Sequence, residues 1–145
     1  MTANTLPMRQ QDNWQNQLRN VISTAQELLD LLELAPQDTG FCADASSDFS
    51  LKVPMAFVRK MRAGDPQDPL LLQVLARGEE LLQTPGFSSD PVGEVGAAIP
   101  ARGVIHKYKG RVLLLVTSGC AIHCRYCFRR HFPYAANQNS RREWG

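Results

Sequence analysis

The sequence lacks any long apolar run. Its longest, residues 112–116, is far too short to cross a bilayer, for which a helix needs about 20 apolar residues. The N-terminus also lacks a basic segment followed by an apolar one, the pattern of a signal peptide. These two absences predict a cytoplasmic protein with no membrane partner.

Acidic residues are missing from one long stretch. Residues 95–142 contain nine Lys/Arg and no Asp/Glu, whereas residues 1–94 contain seven Lys/Arg and thirteen Asp/Glu. The formal net charge of +2 hides this asymmetry. A basic stretch of this kind favours an anionic partner, such as a phosphate, a carboxylate, an anionic cofactor or a nucleic acid. A solvated basic face is the alternative interpretation.

Cysteine is also scarce, with four residues in the chain. Cys120, Cys124 and Cys127 lie within one short segment of the basic stretch, and Cys42 stands apart as an ordinary thiol. In a cytosolic protein such clustering indicates metal or redox chemistry rather than disulfides. Three thiolates at steps of four and three can bind three corners of a 4Fe–4S cluster, which leaves one iron open to a substrate or cofactor.

A zinc site is the alternative for these cysteines, since His123 or His131 could supply a fourth ligand. The chain would then be a small zinc- or cluster-binding RNA-binding module that uses the basic stretch. Exposed aromatic side chains would stack on the bases of the RNA in such a module. The candidates for stacking are Phe128, Phe132 and Tyr134.

Apolar residues at helical spacing predict one amphipathic helix over residues 14–32. A second helix is predicted to open at Pro54, and a third at Asp68, where a capping residue precedes a proline. The polar stretch 42–50 is interpreted as a loop. Residues 1–83 thus form a helical region, and the Gly- and Pro-rich residues 84–103 form a connector.

Two strand patterns follow the connector. Residues 104–108 predict a short strand, and Lys109-Gly110 is a turn signal. Residues 111–117 are continuously apolar with β-branched members, a pattern typical of a strand buried on both faces of a parallel sheet. The cysteines follow this strand directly, at the end where α/β barrels place their active sites.

The motif Cys120-Ala-Ile-His-Cys-Arg-Tyr-Cys127 resembles the cluster loop of the radical S-adenosylmethionine superfamily. The wider stretch 111–134 resembles the lysine 2,3-aminomutase branch of that superfamily. Three segments also resemble the members of this branch that act in bacterial elongation factor P (R)-β-lysylation. These segments are residues 68–74, 106–108 and 129–134.

The resemblance implies site residues and cofactors. The ligands of a 4Fe–4S cluster would be the three loop cysteines, Cys120, Cys124 and Cys127. Tyr126 matches a position near the adenine of S-adenosylmethionine, and Arg111 matches one that contacts the phosphate of pyridoxal 5′-phosphate. Arg129 matches a position that contacts the carboxylate of the lysine substrate. Lysine would be converted to β-lysine, with elongation factor P pathway enzymes as partners and no nucleic acid.

The resemblance also implies a fold of the α/β class. An N-terminal helical segment would precede the first strand and cluster loop of a truncated partial (β/α) TIM-like barrel, with residues 104–145 as an incomplete radical S-adenosylmethionine core. Members of this family are more than twice as long, and the lysine that holds pyridoxal phosphate is not visible in this sequence. We therefore expect a fragment that contains no catalytic residue and is inactive alone.

Overall fold

The computed structural model describes residues 13–94, 98–117 and 119–137. Their packing divides into two units. The first comprises the chain up to Gln83 together with Ala121–Cys127, and the second comprises Thr84–Cys120 and the chain from Phe128 onward. The cysteine loop, which the sequence groups with residues 104–145, is thus split, and most of it packs with the first unit.

The first unit is built from short helices and one small antiparallel sheet. The helices are α1 (Trp14–Arg19), α2 (Ala25–Leu31), α3 (Pro36–Thr39), α4 (Ala43–Asp48), α5 (Met55–Val58), α6 (Pro69–Val74) and a 3₁₀ helix (Gly78–Leu81). In the sheet, β1 (Val21–Ile22) pairs antiparallel with β2 (Val53–Pro54). No helix within the described ranges has the length and apolar character needed to cross a membrane.

The predicted start of the third helix is confirmed. Asp68 is the N-cap of α6, and its Oδ1 accepts hydrogen bonds from the backbone N–H groups of Leu70 (2.8 Å) and Leu71 (3.2 Å). Pro69 follows at the first helical position, where the missing N–H costs nothing. The Asp68 Oδ2 atom also accepts from the Arg62 N–H at 3.1 Å, so this carboxylate ties the preceding turn to α6.

The prediction of one helix over residues 14–32 is wrong, because the chain is extended between α1 and α2. Val21 and Ile22 are β-branched, and they pair with Pro54 and Val53 in the small sheet. The hydroxyl of Thr24 then accepts from the Glu27 N–H at 3.3 Å and starts α2 as a new helix. The apolar residues do recur at helical spacing, but sheet pairing at Val21–Ile22 and the cap at Thr24 divide the segment into two helices.

The loop predicted over residues 42–50 is also wrong, since α4 spans Ala43–Asp48. This helix buries only Ala45 and exposes its polar side chains, so it lacks the apolar periodicity that identifies a helix from sequence. The Cys42 carbonyl accepts from the Ser46 N–H at 3.1 Å and closes its first turn. A short helix with one small buried residue gives almost no sequence signal.

The core of the first unit gathers side chains from three helices, α2, α5 and α6, and from the sheet. Leu28, Leu29, Leu71 and Val74 are completely buried. Burying a side chain of this size stabilises the fold by roughly 1.5–3 kcal/mol each. The remaining buried members of this cluster are Ile22, Ala25, Leu32, Leu51, Val53, Val58, Met61 and Leu75. Ile122 of the cysteine loop packs against the same cluster, so the loop shares this core.

The second unit contains a β-hairpin and a short helix. Strand β3 (Val104–Tyr108) pairs antiparallel with β4 (Arg111–Leu114), and helix α7 spans Tyr134–Asn137. The predicted strand over 104–108 is confirmed, and so is the turn that follows it. Gly110 adopts φ 79°, a left-handed conformation that costs glycine little and favours a tight hairpin.

The prediction of a buried parallel strand over 111–117 is wrong. Strand β4 ends at Leu114, runs antiparallel to β3, and exposes Val112 by 55%. A two-residue connection can join only antiparallel neighbours, because a parallel pair needs a long crossover. No closed barrel is present in residues 13–94, 98–117 and 119–137, whose sheets are two antiparallel pairs.

Candidate functional site

The second and third cysteines of the loop share one turn. The Cys127 N–H donates to the Cys124 carbonyl at 3.0 Å, and both side chains are half-buried. The Gln73 side-chain amide at the end of α6 donates to the Cys124 sulfur at 2.9 Å. A hydrogen bond to a metal-binding sulfur is one means by which proteins tune iron–sulfur chemistry. Cys120 is exposed and belongs to the second unit.

The residues present fit an iron–sulfur cluster in their chemistry. Three cysteines are available, and thiolates are the usual ligands of such clusters. Among the residues that the structure describes, however, no three His, Cys, Asp or Glu side chains lie close enough together to hold a metal ion. The cluster therefore stays a prediction from the cysteine spacing.

His123, the candidate fourth ligand for zinc, packs against the first unit. Its ring stacks on Phe49 with centroids 4.7 Å apart and an interplanar angle of 20°. Its Nδ1 lies 2.9 Å from the Ser50 carbonyl, which can only accept, so Nδ1 carries the proton. The His123 N–H also donates to the Lys52 carbonyl at 3.0 Å. These contacts give His123 a role in holding the loop.

Tyr126, the candidate adenine-binding residue, presents a largely exposed ring. The side chain is 74% exposed, and it lies in the turn between Cys124 and Cys127. Partial desolvation raises the pKa of the Tyr126 phenol, and the charge and hydrogen bonding of Cys124 raise it further. The phenol therefore stays neutral at physiological pH. An exposed neutral ring beside the cysteines fits stacking with a purine.

The two candidate arginines line one cavity in the second unit. This cavity of about 280 Å³ is bounded by the β-hairpin and by residues on either side of it. Its charged lining residues are Glu94, Lys107, Arg111 and Arg129. Three cations and one carboxylate give the cavity a net positive lining, as expected for a site that receives phosphate or carboxylate groups.

Arg129 already holds a carboxylate in this cavity. Its Nε donates to Glu94 Oε2 at 2.6 Å and its Nη2 donates to Oε1 at 2.8 Å, which is a bidentate pair. The hydrogen bond from Arg129 lowers the pKa of Glu94 below its ordinary value of 4.5, and the nearby charges of Arg129 and Lys107 act in the same direction. Glu94 is 9% exposed and stays ionised.

Arg111 lies at the start of β4 and is exposed. Its guanidinium sits 4.6 Å from the centroid of the Tyr108 ring, in a cation–π contact across the hairpin turn. Lys107 contacts the same ring at 5.4 Å, and its Nζ donates to the Val92 carbonyl. The hairpin thus places two cations that line the cavity next to one aromatic ring.

One of the three stacking residues proposed for an RNA-binding module is buried. Phe132 is 7% exposed and belongs to the core of the second unit, together with Ala98 and Ile105. Tyr134 packs edge-on against it, with the ring centroids 4.9 Å apart. The assignment of Phe132 to base stacking is therefore wrong.

Sequence reasoning missed three residues that contact the predicted site. Arg125 is buried although it lies between two cysteines, and Gln73 and Glu94 lie far from the loop in sequence. A signal existed for Glu94, the last acid before the long basic stretch. Nothing in a single sequence distinguishes Gln73 or Arg125 from ordinary polar residues.

Known proteins resemble this chain over nearly its whole length. It is 45% identical over 141 residues to the L-lysine 2,3-aminomutase of Escherichia coli and 44% identical over 138 residues to that of Haemophilus influenzae. These matches cover 97% and 94% of the chain but 41% and 40% of the relatives. A protein of the same name from Clostridium subterminale is 31% identical over 121 residues, which is 83% of the chain and 29% of that relative. No protein-family model matches the chain.

Proposed function

This chain is a homologue of the L-lysine 2,3-aminomutases, and from that premise we propose that it supplies the cluster loop and part of the cofactor site of a radical S-adenosylmethionine enzyme that converts lysine to β-lysine. The observation that carries the proposal is 45% identity over 97% of the chain, which includes the three-cysteine motif. The chain spans about two fifths of the length of these relatives.

The cysteine loop would hold the cluster. Its ligands would be Cys120, Cys124 and Cys127, with the amide of Gln73 donating to the Cys124 sulfur. A bound cluster would supply the electron that cleaves S-adenosylmethionine. The exposed ring of Tyr126 would stack on the adenine, which keeps the cofactor next to the loop.

The cavity of the second unit would hold the anionic groups. Arg111 would bind the phosphate of pyridoxal 5′-phosphate, because its guanidinium lines the cavity from the exposed end of the hairpin. Arg129 would bind the carboxylate of lysine in the same side-on geometry that it now makes with Glu94. The bidentate pair supports this role, since two donors of the Arg129 guanidinium already bind a carboxylate side-on.

Three further parts of the proposal go beyond what the described residues contact. They are a partial (β/α) barrel in the complete enzyme, a cytosolic location, and delivery of β-lysine to elongation factor P by partner enzymes of that pathway. The motifs at residues 68–74, 106–108 and 129–134 support the last of these.

The cluster is tested by anaerobic reconstitution of the purified chain with iron and sulfide. We expect a brown protein with visible absorbance that bleaches in air, and loss of that absorbance in Cys120→Ala, Cys124→Ala and Cys127→Ala. Cys42→Ala is the matched control and should keep the cluster, because Cys42 lies outside the loop. Full cluster absorbance in Cys124→Ala, or a colourless protein that binds zinc, would contradict the proposal.

The reaction is tested in a chimera in which this chain replaces the matching segment of the Escherichia coli relative. With S-adenosylmethionine, pyridoxal phosphate, lysine and a reductant, mass spectrometry should detect both 5′-deoxyadenosine and β-lysine. The same chimera with Cys124→Ala should form neither. A chimera that contains its cluster and forms 5′-deoxyadenosine, yet makes no β-lysine, would show that the aminomutase assignment is wrong for this chain.

A further inference from the structure

Arg125 is a buried charged residue inside the cysteine loop. It lies between Cys124 and Tyr126, and its side chain is only 7% exposed. Arginine is almost never buried to this extent unless its charge is paired and its donors are satisfied. The burial of Arg125 therefore requires a specific set of partners, and the first unit provides them.

The guanidinium of Arg125 joins the loop to two separate segments of the first unit. Its Nε and Nη2 donate to the carboxylate of Glu80, at 2.9 Å to Oε1 and 2.7 Å to Oε2. Its Nη2 also donates to the Ala45 carbonyl of α4 at 2.8 Å, and its Nη1 donates to the Phe49 carbonyl. One side chain thus connects the loop to α4, to the residue after α4 and to the 3₁₀ helix.

The backbone of the loop is held next to this side chain. The Arg125 N–H donates to the Gln73 carbonyl at 2.7 Å, at the end of α6. The amide of the same Gln73 donates to the Cys124 sulfur. Because these bonds are made to protein groups alone, they do not need a metal to form.

We propose that Arg125 is a positioning residue that fixes the conformation of the loop Ala121–Cys127 before any metal binds. The planar guanidinium presents five donors in fixed directions, so it can satisfy a carboxylate and two carbonyl groups at once. A lysine ammonium has the same charge but cannot span these acceptors. With the loop fixed, Cys124 and Cys127 do not have to be ordered when iron arrives. This last consequence rests on the proposed function, whereas the positioning itself does not.

The positioning is tested by amide hydrogen exchange of the metal-free chain, followed by mass spectrometry of peptides that cover residues 121–127. In Arg125→Lys and Arg125→Met, exchange in this segment should accelerate by about tenfold or more, as expected when hydrogen bonds to a charged group are lost. Glu80→Gln should give a smaller acceleration. Arg19→Met is the matched control, because Arg19 is an exposed residue of α1, and it should leave the segment unchanged.

Peptides from α2 and α6 show whether the fold survives in each variant. Acceleration confined to residues 121–127 in Arg125→Lys or Glu80→Gln supports the proposal even if Arg125→Met unfolds. Unchanged exchange in the loop of Arg125→Lys and Arg125→Met, or equal acceleration throughout the first unit in all three variants, overturns it.

The consequence for metal is tested by the rate of iron incorporation under anaerobic conditions. Arg125→Lys should take up iron about tenfold more slowly than the unmodified chain, in proportion to the fraction of chains with an ordered loop. Cys124→Ala should lose the cluster yet keep slow exchange at the Arg125 amide. An unchanged rate in Arg125→Lys would overturn the role in metal assembly. A failure of the unmodified chain to bind iron would instead contradict the proposed function, and the exchange result would stand.

Discussion

Replacing Asp68 by alanine should destabilise the first unit and loosen the cysteine loop. Asp68 is 3% exposed, and its carboxylate accepts three backbone hydrogen bonds, from Arg62, Leu70 and Leu71. Two of these bonds begin α6, the helix that ends next to Gln73. The cap therefore positions the residue that contacts Cys124, and its loss should be measurable at both ends of the helix.

The magnitude follows from the bonds that are lost. Removal of an N-cap side chain costs about 1 kcal/mol, and the N–H of Arg62 also loses its acceptor, at a cost of about 1–2 kcal/mol. We therefore expect Asp68→Ala to lower the free energy of unfolding by about 2–3 kcal/mol. Asp68→Asn keeps the oxygen that caps α6 but loses the second oxygen, which accepts from the Arg62 N–H, so it should cost about 1 kcal/mol.

Urea unfolding followed by circular dichroism measures these differences. The control is Asp44→Ala, which removes an exposed carboxylate from the first turn of α4 and should cost about 0.5 kcal/mol or less. If Asp68→Ala stays within 0.5 kcal/mol of the unmodified chain, the cap does not stabilise α6 as argued. Equal losses in the alanine and asparagine variants would show that the charge matters and the capping oxygen does not.

Two further predictions concern the Glu94–Arg129 ion pair of the second unit and the core of the first unit. Arg129 holds the pKa of Glu94 below 4.5, so the ion pair contributes its full stability above about pH 4.5 and loses it as pH falls through the lower folded-state value. In urea unfolding, Glu94→Gln should thus be about 1 kcal/mol less stable than the unmodified chain at pH 7, and this difference should shrink as the pH falls below 4.5; a difference that stays constant would contradict this. Leu71→Ala should cost about 2–5 kcal/mol, and Leu82→Ala, at a position 71% exposed, less than about 0.5 kcal/mol. Similar losses of unfolding free energy in the two leucine variants would contradict the assignment of Leu71 to the core and of Leu82 to the surface.

Local signals in the sequence predicted the start of α6 and the hairpin turn. In both places one or two residues determine the backbone: Asp68-Pro69 for the cap, and Lys109-Gly110 for the turn. No such one- or two-residue signal specifies which strand an apolar segment pairs with, or which of its faces is buried. Residues 111–117 have the composition of a strand buried on both faces of a sheet. In the structure, the strand within this segment instead pairs with an antiparallel neighbour, and the valines of the segment are exposed. Sheet pairing depends on the partner strand, which the segment itself does not specify.

The candidate site shows the same difference between features with a local sequence signal and features set by long-range contacts. The spacing of the cysteines indicated the kind of chemistry, and family resemblance singled out Arg111 and Arg129, which line one cavity. The carboxylate that pairs with Arg129 comes from the connector, 35 residues earlier, and the buried pair of Arg125 comes from 45 residues earlier. Contacts at such separations follow from tertiary packing, so a single sequence cannot supply them.

The loop Ala121–Cys127 completes the first unit from a distant part of the chain, and this has a consequence for synthesis on the ribosome. Arg125 bonds to Ala45 across 80 residues and to Glu80 across 45, with the whole β-hairpin lying between in sequence. Contacts between residues so far apart in sequence close large loops, and they slow folding. The helices before Gln83 emerge early and must wait for residue 125 before the acceptors on α4 and Glu80 meet their donor. During that interval these carbonyl and carboxylate groups lack their bonds to Arg125, and translation must pass residue 125 before those bonds can form.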